Sequence, residues 1–226
     1  MNLAPPWFWS ADNGNAGSLA VAFRAARFRR FADLLRDAPG AVRILDVGGT
    51  SATWKSYHRA LPSSADVTLL NLEFPERPAV RGVSYDIGDA RDLSRFPDRH
   101  FDLCFSNSLI EHVGTLDEQR VIANEIRRVA RGYFVQTPNL FFPLEPHFLV
   151  PGWQFLPISL RSRLLRKWDL GWMKKTEDPV LARETVKSIR LMRKSEIRLL
   201  FPDGQIFCER IGPFTKSFIA FKRLSH

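Results

Sequence analysis

Apolar positions along the chain follow two periods, a helical spacing of three and four residues and short unbroken runs. From about Ser18 to Asp37, Leu19, Phe23, Ala26, Phe31, Leu34 and Leu35 recur at helical spacing with arginines between them. That predicts an amphipathic helix, ended by Pro39-Gly40. The proline-stiffened aromatic stretch Pro5-Pro6-Trp7-Phe8-Trp9 precedes it. Apolar runs predict strands at Val42–Val47, Val67–Glu73, Val80–Tyr85, Phe101–Asn107 and Tyr133–Thr137. Between them, helical spacing marks Thr53–Leu61 and the segment carrying Val121, Ile122, Ile126 and Val129. Thr115 and Glu118 form a capping box at the start of the second, and Gly132 is expected to stop it. A further helix is predicted over about Arg183–Leu200, then strands at Gly204–Arg210 and Lys216–Lys222 whose connection is too short for a crossover and must be antiparallel.

Strand and helix in alternation predict an α/β fold: a Rossmann-like, doubly wound, mostly parallel seven-stranded sheet with an antiparallel last strand. Leu140 to about Pro179 departs from the alternation. It is rich in Phe, Pro and Trp and then basic, and is expected to be an insert after the fifth strand, over the carboxyl edge of the sheet. A length of 226 residues fits one domain over 1–226, with 1–40 as an N-terminal helical lid and 140–180 as a substrate-side insert.

The chemistry concentrates where strands end. Arg43 to Val47 is an apolar run that meets an acid, Asp46, and turns through Gly48, Gly49 and Thr50 into a helix. Glycine there lets backbone approach a ligand closely, and the carboxyl edge of such a sheet is where ligands bind. About 20 residues on, where a nucleotide-binding unit places the group that holds a ribose, stand Asn71 and Glu73.

Composition narrows this picture only a little. The formal net charge is +9, and the basic residues cluster at Arg24–Arg36 and Arg161–Lys175. That invites an anionic partner, but no common nucleic-acid-binding motif is present, so nucleic acid is not the expected partner. No run reaches the ~18 apolar residues of a membrane span, and the polar start at Asp12-Asn13 does not read as a signal peptide. The expected location is the cytoplasm, with the basic insert free to touch a membrane from outside. Cys104 and Cys208 sit in predicted strands and are expected as buried, reduced thiols. No CxxC, HExxH or EF-hand pattern occurs, so no metal is expected.

In these residues the chain resembles the class I S-adenosylmethionine-dependent methyltransferases, in particular their small-molecule type 11 branch. The resemblance rests on Leu45-Asp46-Val47-Gly48-Gly49, on Gly88-Asp89-Ala90, and on Phe101-Asp102-Leu103 running to Ser106-Asn107-Ser108-Leu109-Ile110-Glu111-His112-Val113. It implies S-adenosylmethionine as cofactor. Asp46, Gly48, Gly49 and Thr50 would frame its methionine end, Asn71 and Glu73 its ribose, Asp89 and Ala90 its adenine, and Asn107 its amino-acid part. The family's later turn glycines are replaced by Thr50 and Ala52. That departure keeps a second reading open: a cofactor-binding relative that has lost catalysis and serves as a regulatory or partner subunit.

Methyl transfer from a sulfonium asks chiefly for alignment, and for a base only when the acceptor must lose a proton. His147, among Phe141, Phe142 and Phe148, is the candidate catalytic base. The aromatic wall of the insert and its basic, apolar-interleaved stretch Ser159–Trp168 suggest a small-molecule or lipid-linked acceptor met at an anionic bilayer surface. The acceptor atom and the oligomeric state are left open by these patterns.

Overall fold

In a computed structural model of the chain, residues 19–36, 40–57, 61–62 and 64–224 are described. The Pro5–Trp9 stretch and the rest of the interval 1–18 lie outside them. Helix α1 (Leu19–Leu35) is followed by β1 (Val42–Val47), α2 (Ser51–Tyr57), β2 (Ala65–Asn71), β3 (Val83–Ile87) and β4 (Phe101–Asn107). Helix α3 (Leu116–Val129), β5 (Ala130–Pro138), α4 (Ile158–Leu165), α5 (Pro179–Lys187), α6 (Lys194–Leu200), β6 (Gln205–Ile211) and β7 (Phe214–Lys222) complete the order.

The seven strands form one sheet in the order β3-β2-β1-β4-β5-β7-β6. Strands β1 to β5 pair in parallel, whereas β7 runs antiparallel to both β5 and β6. The order reverses between β1 and β4, so both tips flank the crevice where open α/β sheets bind ligands. The expected fold class is therefore the observed one.

Each sheet face carries its own apolar layer. One packs α3 and α6 on Leu45, Cys104, Tyr133, Val135 and Ala220. The other packs Phe28, Phe31, Leu34 and Leu35 of α1 on Ile44, Leu69, Leu103, Phe105 and Ile219. Strands covered on both sides lose alternation, which is why β4 and β5 read as continuous apolar runs. A third, smaller cluster lies off the sheet in the 140–187 segment, where Phe148 and Trp153 stack at 4.5 Å over Leu165, Ala182 and Val186.

Several boundaries differ from expectation. The helix expected over 183–200 is two helices, α5 and α6, because the chain between them leaves helical geometry to bury Leu191 and Met192 and to bridge Met192 to Asn139 at the end of β5. Gly132 does not stop α3. Ala130 is already extended (φ −124°, ψ 147°), and β5 begins directly at the helix end. Strand β2 begins and ends two residues early, leaving Glu73 in the following loop, and β3 starts at Val83 rather than Val80. The capping box at Thr115 forms as read, with Thr115 Oγ1 accepting from Glu118 N and Glu118 Oε2 accepting from Thr115 N. Both cysteines are free; Cys104 is buried, but Cys208 is only partly covered.

Helix α1 is fastened to the sheet by charge as well as by aromatic rings. The Arg27 guanidinium donates from Nε and Nη2 to Glu209 of β6 at 2.7–2.9 Å, and from Nη1 to Asn107 Oδ1 of β4 at 3.0 Å. Arginine and glutamate side chains are 8% and 4% exposed. Removing one member of such a pair strands a buried charge, which costs far more than the pair contributes. Glu209→Ala is expected to lower unfolding free energy by about 3–5 kcal/mol in denaturant titration, and Arg27→Met combined with Glu209→Leu to recover most of the loss.

Candidate active site

At the end of β1 the chain must turn sharply into α2, and the turn closes over a buried acid. Asp46 is 2% exposed, and its Oδ2 accepts a hydrogen bond from Trp54 Nε1 at 2.6 Å. Gly49 lies so close that a Cβ there would stand 1.9 Å from Asp46 Oδ2. Gly48 has a φ of +80°, where a side chain would be strained. The two glycines therefore serve different needs, one conformational and one of space. Burial lifts the Asp46 carboxyl to about 7, the Trp54 hydrogen bond pulls against it only partly, and no cation among the described residues offsets it.

Above this turn is a cavity of ≈ 610 Å³. Its walls are the β1 tip and turn (Asp46, Gly48, Gly49, Thr50), α2 (Ala52, Thr53, Ser56), the end of β4 (Phe105, Asn107) and α1 (Val21, Arg24, Arg27, Phe28). Five of the residues expected at the methionine end of a cofactor thus meet at one cavity. The sequence does not single out Arg27. Nothing local marks Arg27 among its neighbouring arginines; only its meeting with Glu209 sets it apart.

The residues expected around ribose and adenine stand on the neighbouring tips and do not line this cavity. Asn71 is the last residue of β2, and its Oδ1 accepts from Leu72 N at 2.9 Å. Glu73 is exposed in the loop beyond. Asp89 follows β3, where Arg91 grips its carboxylate through Nε and Nη2 and holds it below the ordinary carboxylate range. Arg91 also reaches Glu118 Oε1 at 3.2 Å. Ala90 packs partly buried against the α3-side core.

His147 lies in a second group, beyond the tips of β4 and β5. Its Nδ1 is 2.7 Å from Glu145 Oε1, while Glu145 Oε2 accepts from the backbone N–H of His147 and Phe148 at 2.8 and 2.6 Å. A carboxylate accepts only, so Nδ1 carries the proton and Nε2 keeps its lone pair. Burial pushes the His147 imidazolium toward losing its proton, but the Glu145 hydrogen bond and the charges of Glu145 and Glu111 outweigh it, leaving the pKa above 6.5. The His112 ring stands edge-on to that of His147, with centroids 4.7 Å apart. Glu111 is fully buried, and its Oε2 accepts from Thr137 Oγ1 at 2.9 Å. Ser108 at φ 56° throws the chain from β4 into the short turn that carries Glu111 and His112.

The two groups adjoin. Arg27, a wall of the cavity, is close enough to Glu111 to draw its carboxyl downward, against a larger upward push from burial. Lys216, lowered to about 8 by burial and then by Arg27, senses both Glu209 and Glu111.

Comparison with known proteins points the same way. Residues 45–135 match a family model described as "Methyltransferase domain". Over 69 residues the chain is 33% identical to an uncharacterized protein of Mycobacterium tuberculosis, Rv1509, which amounts to 30% of this chain and 23% of that protein. The chain thus spans under a quarter of the length of the curated relatives it matches. Among solved structures it is similar to a possible exported protein from Bordetella parapertussis, with a TM-score of 0.54 and 16% identity over 91% of this chain and 69% of that one. It is also similar to the CurJ carbon methyltransferase, with a TM-score of 0.55 and 11% identity over 93% and 59% of the two chains. At these identities the likeness to the solved structures is one of fold. The family match runs from β1 into β5 of that sheet, so the part of the chain that is similar to a methyltransferase domain is the part that carries the strand tips around the cavity.

Proposed function

We propose that the protein is an S-adenosylmethionine-dependent methyltransferase acting on a small, amphiphilic acceptor. The observation that carries this reading is the cavity over Asp46, Gly48, Gly49 and Asn107, on strand tips inside the matched family segment. Its size falls within the ~300–1,000 Å³ of small-molecule sites. Its chemistry suits the methionine end of the cofactor: a buried carboxyl lacking a cationic partner is the group that an incoming ammonium would satisfy. Asn107 and the Gly48-Gly49-Thr50 turn would bound the same end. Asn71 and Glu73 at the β2 tip are assigned to the ribose, and Asp89 and Ala90 at the β3 tip to the adenine. Asp89 would exchange part of its Arg91 contact for that role.

Bound there, S-adenosylmethionine supplies a methyl group on an already cationic sulfur. The protein's own share is alignment and exclusion of water: α1 roofs the cavity with Val21 and Phe28, and the Arg27–Glu209–Asn107 tie keeps the roof in register. On the acceptor side Glu145 fixes the tautomer of His147, so Nε2 can take a proton from a hydroxyl or ammonium.

The membrane side of this reading rests on the insert's surface. Phe155, Leu160, Trp168 and Trp172 are exposed near Arg163, Arg166 and Lys167, while Leu165 turns inward to the small core. Basic residues among exposed apolar ones suit an anionic interface. No helix among the described residues is long and apolar enough to cross a membrane.

Calorimetry with S-adenosylmethionine and S-adenosylhomocysteine tests the cofactor, and turnover on a panel of acceptors separates an enzyme from a non-catalytic binder. Cofactor affinity is expected to tighten as pH rises through about 7, because Asp46 must ionise to meet the ammonium. Below that pH it should weaken by up to about tenfold per unit, and Asp46→Asn should flatten the dependence; no binding at any pH would sink the assignment. His147→Ala should lower kcat by roughly 10²–10⁴-fold with the cofactor Kd little changed, as read by single-turnover methylation. Co-sedimentation with vesicles of phosphatidylserine and phosphatidylcholine should be salt-sensitive and fall in a Leu160→Ser, Trp168→Ser variant.

A further inference from the structure

We infer that Glu111, His112 and His147 form a binding site for a divalent transition-metal cation. One ligand atom from each side chain lies within 4.8 Å of the other two. Around an ion with bonds of about 2.0–2.2 Å, such atoms must close to roughly 3–3.5 Å, and of the three the exposed His112 is the least constrained.

Three features beyond proximity point to an ion. Glu111 is 0% exposed, and while Oε2 takes the Thr137 hydroxyl, Oε1 is buried with no hydrogen-bond partner among the described residues. A buried carboxylate oxygen left unsatisfied is costly, and a cation is its strongest remedy. Second, His147 is held as metal-binding histidines are, with Nδ1 on Glu145 Oε1 at 2.7 Å and Nε2 left for the ligand bond. Glu145 is itself fixed by two backbone amides, so the orientation is set before any ion arrives. Third, His112 is exposed while Glu111 is buried, which opens the cluster to solvent on one side only.

Two imidazole nitrogens and one carboxylate oxygen favour Mn²⁺, Fe²⁺, Co²⁺ or Zn²⁺ over the all-oxygen preference of Ca²⁺ and Mg²⁺. Three protein ligands also leave coordination positions open. The cations nearby oppose binding only in part. Arg27 is committed to Glu209 and Asn107, and Arg161 faces the outer carboxylate Glu145. Lys216 is a further positive group that interacts with Glu111, and it is drawn to Glu209 as well. The ligands come from a turn after β4 and a loop after β5, so no contiguous motif announces them.

With an ion in place His147 acts as ligand rather than as proton acceptor. An acceptor hydroxyl in an open position would then be acidified by the cation. That use rests on the methyltransferase reading; the site itself rests on the three side chains alone.

Chelator-treated full-length protein titrated with Co²⁺ tests it, read by visible ligand-field absorption and by calorimetry without any cofactor. Saturable binding of one equivalent is expected, weakened at least tenfold in each of His112→Ala, His147→Ala and Glu111→Gln, and unchanged in His100→Ala. His112 is exposed, so its variant should fold, as circular dichroism would verify, even if the Glu111 variant does not. Absence of saturable binding, or affinity indifferent to both His112→Ala and His147→Ala, would overturn the site. Since the readout needs no methyl donor, that result would leave the cofactor calorimetry to stand or fall separately.

Discussion

A carboxyl group shut inside the end of β1 constrains everything built above it. Asp46 has one polar partner, the indole N–H of Trp54, and the chain comes back over it so closely that position 49 has no room for a side chain. Trp54 in turn sits among Phe28 and Phe31 of α1 and Phe105 of β4, with ring centroids 5.2, 6.4 and 6.1 Å away. One buried acid therefore sets the turn, the first step of α2 and the seat of the covering helix. Burial raises its carboxyl to about 7, and no cation among the described residues pairs with it.

The same tip region is braced from the far side of the sheet. Glu209 of β6 reaches Arg27 of α1, which reaches Asn107 of β4, while Ser217 of β7 donates to Glu209. This path crosses the antiparallel half of the sheet, so the closing β6–β7 hairpin bears on the site as well as finishing the fold. Burying such a pair contributes little net stability, but its three directed hydrogen bonds from one guanidinium to Glu209, with a fourth to Asn107, fix the geometry of α1 against the sheet. The second polar group, around Glu111 and His147, is arranged differently. It has an oriented histidine, an unsatisfied carboxylate oxygen and an open side, which are properties of a place where something binds.

Much of this was readable from residue pattern. Strand β4, the capping box at Thr115, the glycine turn and the short β6–β7 connection each depend on neighbours in the chain, and each appears where local chemistry places it. Errors arose where a distant contact outweighed local preference. Residues 188–193 carry a helix-compatible pattern, yet burying Met192 against the β5 end breaks the helix. Gly132 looked like a helix stop, but pairing with Leu103 across the sheet draws β5 back to Ala130. In the insert, spacing alone does not tell which face of α4 turns inward: Ser162 and Leu165 are buried, whereas Leu160 is exposed.

Local sequence, through backbone sterics and periodic burial, determined the α/β order, the tips that hold Asp46, Gly48, Gly49 and Asn107, and the presence of an aromatic and basic insert. Tertiary structure alone decided which arginine would be buried, how α1 would roof the cavity, and that Glu111, His112 and His147 would meet. Those outcomes depend on electrostatic and packing energies between residues far apart in the chain, and such energies do not exist until the sheet has brought the residues together.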